Sequence, residues 1–267
     1  MLRPWPGAVS EYLTRCAPIG FLRRFPQKAQ SVRFSYFVFV DAADASHQAL
    51  PDKALEDISE VLRTTPKVTC AHLYTPGRAE DQFRGPEKSP LLGIQIYFND
   101  LEDLEEAVCR EGNLRQLVEL EVFSPTSGSV VTQQAMYVRH FPVDQPKTVA
   151  TDREKPCSYL VHYPGPAHDQ NSWMWHYITH HPQIMRTFPG IRSIEVLTRV
   201  DWVGFLPWER TNHMQRNRVM FDSQAALTTA LHSPARTAMR EDFEKFPAYE
   251  GGNYHYPMET MILRPYR

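Results

Sequence analysis

No stretch of the 267-residue chain approaches the roughly eighteen consecutive apolar residues that a membrane-spanning helix requires. There is no G-x-G-x-x-G or Walker A loop to cradle a phosphate, and no G-x-S-x-G to present a hydrolytic serine. Cysteine is scarce. Four residues (Cys16, Cys70, Cys109, Cys157) stand far apart with no C-x-x-C pair, which excludes a disulfide scaffold and a zinc ribbon and fits the reduced thiols of a cytoplasmic protein. A net charge of −2 supplies no field for nucleic acid or anionic lipid, so neither is expected as a partner. The first thirty residues, MLRPWPGAVSEYLTRCAPIGFLRRF and the five that follow, have few acids and no continuous apolar core of a secretory signal. They read as an arm, 1–30, packing on the body.

What the chain does contain is a repeat. "SYFVFV" at 35–40 and "SYLVHY" at 158–163 are 123 residues apart, and at the same offset "RTTPKV" lies over "RTFPGI". Phe98-Asn99 then lies over Phe221-Asp222, Leu104, Ala107 and Val108 over Leu227, Ala230 and Leu231, and Pro142 over Pro265. This predicts two copies, 31–143 and 154–267, joined by a polar linker, 144–153. Each copy opens with a β-rich run and continues with a helical one. In DKALEDISEVLRT, Ala54, Ile58, Val61 and Leu62 recur at helical spacing. Two strands, a capped second helix and a closing strand follow, which is the βαββαβ order of a ferredoxin-like unit. The fold class expected is α+β, with two ferredoxin-like repeats whose antiparallel sheets pack into a pseudo-dimeric α+β barrel.

The βαββαβ pattern, the strand "YLVHYPGP" and above all "HHPQIMRTFPGIR" resemble the dimeric α+β barrel proteins and, within them, the EthD-like family. The resemblance implies a tandem fusion whose halves imitate that family's usual dimer. It also implies a small-molecule pocket, in a group of folds that includes cofactor-independent monooxygenases, polyketide cyclases, decarboxylases, lactone isomerases and haem-degrading enzymes. One residue between histidine and proline in the family's motif makes His180 the match; counting back from Pro189-Gly190 makes it His181.

The repeat supplies an internal control for the histidines, eight of whose eleven members fall in the second copy. His162 lies over Phe39 and His181 over Ile58, whereas His180 lies over Asp57 and His176 over Lys53. The first pair is therefore expected to point into the layer between sheet and helices, forming a pocket in the second copy and leaving the first as its filled, structural counterpart. His176 and His180 share a helix face at i, i+4, but the glutamate of H-E-x-x-H and a third ligand are lacking, so no metal is expected. Tyr163 and Tyr159 have the opposite parity to His162 and are expected inside the barrel. Trp173 and Tyr177, two turns and one turn before His181, are candidates to wall a flat substrate. Arg199 and Asp201 are candidates to orient an anion. The loop 202–217, with Phe205, Trp208 and His213, reads as a lid.

A histidine titrates near pH 6.5, which suits proton transfer. The function expected is cofactor-independent acid/base catalysis of cyclase, decarboxylase, isomerase or dehydratase type on a small aromatic or polyketide-like molecule, with His181 as main acid/base, His162 its partner, and His180 the rival. A non-catalytic binding protein and a haem-linked monooxygenase are the alternatives. An oligomer through the outer surface is left open.

Overall fold

Phe34–Asp41 carries large apolar side chains at successive positions rather than alternate ones, and it forms a strand, β1, buried on both faces. The computed structural model describes residues 32–42, 50–124, 128–146 and 154–265, within one unit, Val32–Arg267. The expected arm, 1–30, and most of the expected linker lie outside the described residues. After β1 come α1 (Asp52–Thr64), β2 (Cys70–Pro76), β3 (Leu92–Phe98), α2 (Leu101–Ala107), two short 3-10 turns (Asn113–Glu119 and Glu121–Phe123) and β4 (Val130–Phe141). The chain continues with β5 (Cys157–Tyr163), α3 (Gln170–Met185), β6 (Ser193–Arg199), β7 (Glu209–Arg210), β8 (Gln215–Phe221), α4 (Gln224–Leu231), α5 (Pro234–Phe243) and β9 (Tyr254–Leu263).

Eight strands close into an antiparallel barrel in the order β1-β3-β2-β9-β5-β8-β6-β4, with β4 returning to β1. The two-residue β7 runs parallel to β4 outside this ring. The sequence leads to an α+β barrel of packed antiparallel sheets, and the structure contains an antiparallel barrel. Its edges join by backbone hydrogen bonds, β2 to β9 and β4 to β6, which removes the unpaired strand edges that two open sheets would leave.

Every barrel strand therefore has a lumen face and a helix face, and the apolar residues sort into three clusters. Tyr36, Val38, Ile58, Leu62 and Ile94 pack under α1 and α2. Tyr159, Val161, Tyr163, Trp173, Tyr177 and Val219 pack under α3 to α5. Phe37, Phe39, Tyr74, Met136, Leu160, Leu197 and Met258 fill the lumen. Each such large side chain taken from water contributes about 1.5–3 kcal/mol. Gly93 is required in this packing, because a Cβ there would lie 2.9 Å from Cε1 of Phe39 and 3.1 Å from Cδ2 of Tyr74.

Helix α3 is built to present one stripe to the sheet. Asp169 caps it, accepting from the backbone N–H of Asn171 at 2.9 Å and of Ser172 at 3.1 Å. Trp173, Tyr177, His181 and Met185, each one turn apart, are its buried face. Pro182 lies inside the helix, which continues through it; the missing N–H costs the carbonyl of Ile178 its helical donor.

Candidate active site

Between the helix face of β5 and β8 and the helices α3 and α5 lies a cavity of about 330 Å³, within the range of small-molecule sites. Aromatic and aliphatic side chains make most of its wall, among them Tyr159, Val161, Tyr163, Phe188 and Phe243. Among the polar groups that line it are His181 and Tyr177 from α3, Asn217 from β8 and His255 from β9.

His181 is 4% exposed, and its Nδ1 lies 2.7 Å from Oδ2 of Asp242 on α5. The other carboxylate oxygen of Asp242 takes Nε2 of His176 at 3.0 Å. Because a carboxylate only accepts, Nδ1 of His181 carries the proton, and Nε2 is the basic nitrogen left for the cavity. Burial holds His181 below its ordinary pKa against the raising effect of Asp242, so the ring is neutral at pH 7. Burial pushes the Asp242 carboxyl up, but its hydrogen bonds and charge interactions with His181 and His176 prevail and keep it ionised. A carboxylate in this position fixes the tautomer and is able to stabilise an imidazolium, a geometry that general acid/base chemistry can use.

His255 has the complementary geometry. Its Nε2 donates to Oδ1 of Asn253 at 3.1 Å, so Nδ1 is unprotonated, and that atom is buried without a partner. Burial, then the charges of Arg84, Arg236 and His181, holds its pKa well below the usual value. Asn217 donates to the Tyr177 hydroxyl and accepts from Nε2 of Gln215 at 3.2 Å. The Tyr177 hydroxyl is also hydrogen-bonded to that of Tyr163, and burial raises both phenols well above 10, leaving them neutral.

The mouth is covered by the loop between β2 and β3. Its Asp81 accepts from the Tyr159 hydroxyl at 3.1 Å and pairs with Arg236 at 3.0 Å. Arg84 donates to Glu87 at 3.0 Å and to Asn253 at 2.8 Å. Phe83 lies under the guanidinium groups of Arg236 and Arg240, 5.2 and 4.8 Å from its ring centroid.

Several sequence expectations are corrected by this geometry. His162 does not face His181. It points into the lumen with Phe39, 4.9 Å between rings, while Tyr159 and Tyr163 face the helices. Burial of both strand faces is the reason: an apolar counterpart in the other copy shows that a position is buried but not on which side. His180 is exposed, bonded to the carbonyl of its own helix residue His176 at 3.0 Å, and lies outside the cavity wall. His176, whose charged counterpart Lys53 points to an outward or cleft-edge position, is partly buried on Asp242. Trp173 is buried behind the wall against Tyr249 and Phe246 rather than in it. Arg199 and Asp201 are exposed at the end of β6, away from the cavity. Trp208 packs on Phe123, 5.1 Å between rings, and the loop that contains it covers α2 and the 3-10 turns instead of closing the cavity. Among the described residues no group of three or more His, Cys, Asp or Glu is placed to hold a metal, and no helix is long and apolar enough to cross a membrane.

Asp242, His255 and Asn217 were missed. For Asn217 a signal existed: at the offset of 123 residues it lies over Ile94, an apolar strand position. For Asp242 the signal was the Ser233-Pro234 start of a third helix in this half, a common N-cap and first-turn pair.

No protein-family model matches the chain, and no curated protein sequence matches it. Solved structures do. An anthrone oxidase-like protein superposes with a TM-score of 0.56 at 14% identity, over 88% of this chain and 94% of its own. A provisionally named monooxygenase of Fusobacterium nucleatum superposes with a TM-score of 0.56 at 8% identity, over 87% and 95%. An EthD family protein of Bacillus halodurans matches 40% of this chain and 95% of its own at 19% identity, with a TM-score of 0.30. The first two likenesses show the fold alone.

Proposed function

We propose that this protein is an acid/base enzyme that moves a proton on a small, flat, oxygenated molecule of aromatic or polyketide-like type, with His181 as the base and no bound cofactor. The observation that carries the reading is the 2.7 Å contact between Asp242 and Nδ1 of His181 on the wall of a 330 Å³ cavity. Nε2 of His181 takes a proton from an acidic C–H or O–H of the substrate, and Asp242 holds the imidazolium that results. Asn217 and the Tyr163–Tyr177 pair stand ready as hydrogen-bond donors to a developing enolate or phenolate oxygen. Cyclisation, decarboxylation, isomerisation and dehydration all begin or end with such a transfer. A flat tricyclic ketone such as an anthrone, the compound in the name of one similar fold, is a suitable first probe.

We also infer that the chain is a tandem duplication of EthD-like type, with boundaries at 31–143 and 154–267. Supporting this, residues 34–141 contribute strands in the order β4-β1-β3-β2 and residues 157–263 in the corresponding order β9-β5-β8-β6.

The test is hydrogen–deuterium exchange at the acidic carbon of anthrone and of β-keto acid probes, followed by NMR in the presence of wild-type protein, His181→Ala and Asp242→Asn. Wild-type protein accelerates exchange, His181→Ala abolishes the acceleration, and Asp242→Asn lowers kcat more than it changes KM. Unchanged exchange in His181→Ala overturns the reading. Tight binding of the same probes with no exchange by the wild-type protein favours a binding protein instead.

A further inference from the structure

The lumen face of β8 carries two arginines, two residues apart, both nearly inaccessible: Arg216 is 2% and Arg218 3% exposed. Arg218 is neutralised. Its Nε donates to Oε2 of Glu195 at 3.0 Å and its Nη2 to Oε1, the side-edge fork that an arginine offers a carboxylate. Tyr97 and Gln95 complete the ring of donors on Glu195 at 2.9 and 3.1 Å.

Arg216 has the same edge and no carboxylate on it. Its buried Nε has no hydrogen-bond partner, and Nη2 makes only long contacts, to Oε1 of Gln134 at 3.4 Å, Oγ1 of Thr211 at 3.3 Å and Nδ1 of His213 at 3.2 Å. Nη1 lies against the His162 ring, 2.7 and 2.9 Å from its two nitrogens. Phe37 and Phe39 flank the guanidinium at 5.5 and 4.9 Å. Asp41 and the Tyr256 hydroxyl act on Arg216 through space, and among the described residues no carboxylate is within ion-pair distance of it. A buried charge ordinarily acquires a partner. Here the surroundings supply a hydroxyl, an amide and two imidazoles, and His213 and Tyr256, only partly buried, mark the side open to solvent.

We propose that this end of the barrel is a binding site for a small carboxylate, seated on the Nε–Nη2 edge of Arg216 as Glu195 is seated on that of Arg218, with His213 and Thr211 as secondary contacts. The site lies on the opposite face of β8 from Asn217, so it is separate from the cavity of His181 and does not depend on the catalytic reading.

The test is the melting temperature of the full chain titrated with acetate and benzoate against chloride at constant ionic strength, with inorganic phosphate in a parallel arm. The wild-type protein is stabilised saturably by the carboxylates. Arg216→Met, checked for folding by circular dichroism, shows no such response. His213→Ala, at the accessible side, folds normally and binds the carboxylate several-fold more weakly. An absent or non-saturating response in the wild-type protein, an equal response in Arg216→Met, or a response to phosphate alone overturns the proposal. Loss of folding in Arg216→Met leaves His213→Ala to decide: binding as tight as in the wild-type protein overturns it. His181→Ala retains the carboxylate response, which separates this site from the catalytic one.

Discussion

Acidification from pH 7.5 to 5.5 should remove several kcal/mol of folding stability, through histidines that the fold keeps neutral. Burial, reinforced by the charge of Arg218, brings His72 down to about 3. Burial and Arg216 bring His213 down to about 3. Burial shifts His162, His181 and His255 in the same direction. Once unfolded, each of these rings binds a proton near pH 6.5 while the folded form does not. The unfolded state therefore takes up more protons as the pH falls, and stability is full above about 6.5 and declines below it. At pH 5.5 the penalty for one ring that stays neutral is RT ln(1 + 10), or about 1.4 kcal/mol. His72 and His213 together cost about 3 kcal/mol, and the other three add to the loss. Asp242 does not offset it: its lowered carboxyl contributes stability above its unfolded value of about 3.9, and that contribution is lost only as the pH falls through its folded value.

Urea unfolding at pH 7.5, 6.5 and 5.5, at fixed ionic strength and followed by tryptophan fluorescence, measures this directly. The slope against urea should stay constant while the midpoint falls. His72→Gln should narrow the gap between pH 7.5 and 5.5 by about 1.4 kcal/mol, since a glutamine does not titrate. Equal stability at the two pH values refutes the reasoning, because it requires the buried rings to be protonated as readily as free ones.

Three further perturbations address other parts of the fold. Glu195→Gln leaves Arg218 buried without its counter-charge and is expected to cost about 3–5 kcal/mol in urea unfolding. Trp208→Ala empties a site against Phe123 and is expected to cost about 3–5 kcal/mol, while probe binding at the distant His181 cavity is unchanged by calorimetry. Phe83→Ala removes a ring that is 37% exposed and is expected to cost less than about 1 kcal/mol in stability, yet to raise KM several-fold at constant kcat because the loop is held less firmly over the cavity.

The strands were legible in the sequence because their residues are β-branched and aromatic and recur at one offset: SYFVFV and SYLVHY lie wholly within β1 and β5. The helix DKALEDISEVLRT was legible from its period and is α1 itself. The facing of His162 was not. Alternation along a strand tells inside from outside only when one face meets water, and both faces of β5 are buried. Asp242 was hidden for another reason. It sits on α5, where the first half has a 3-10 segment ending at Glu119, so the offset sets it over another acid and shows no polar-for-apolar exchange.

The position of the cavity follows from what covers each half. On the helix face of the first half, the loop after β6 lays Trp202, Leu206 and Trp208 into the core, and Gln133 ties it down by donating to the carbonyls of Leu206 and Trp208 at 3.0 and 2.6 Å. Trp202 meets Tyr36 at 5.5 Å, and the Tyr36 hydroxyl is taken up by Gln133. On the second half the covering loop, between β2 and β3, places Asp81, Phe83 and Arg84 there, and these bond to the rim without filling the interior. Tyr159, counterpart of Tyr36, is held by Asp81 at the mouth. The same place in the fold is thus plugged with indoles on one side and roofed by a salt-bridged loop on the other. The cavity lies on the roofed side, and there the chain puts an imidazole where Ile58 stands in the plugged half. That coincidence of open space with polar substitution is what the proposed proton transfer requires.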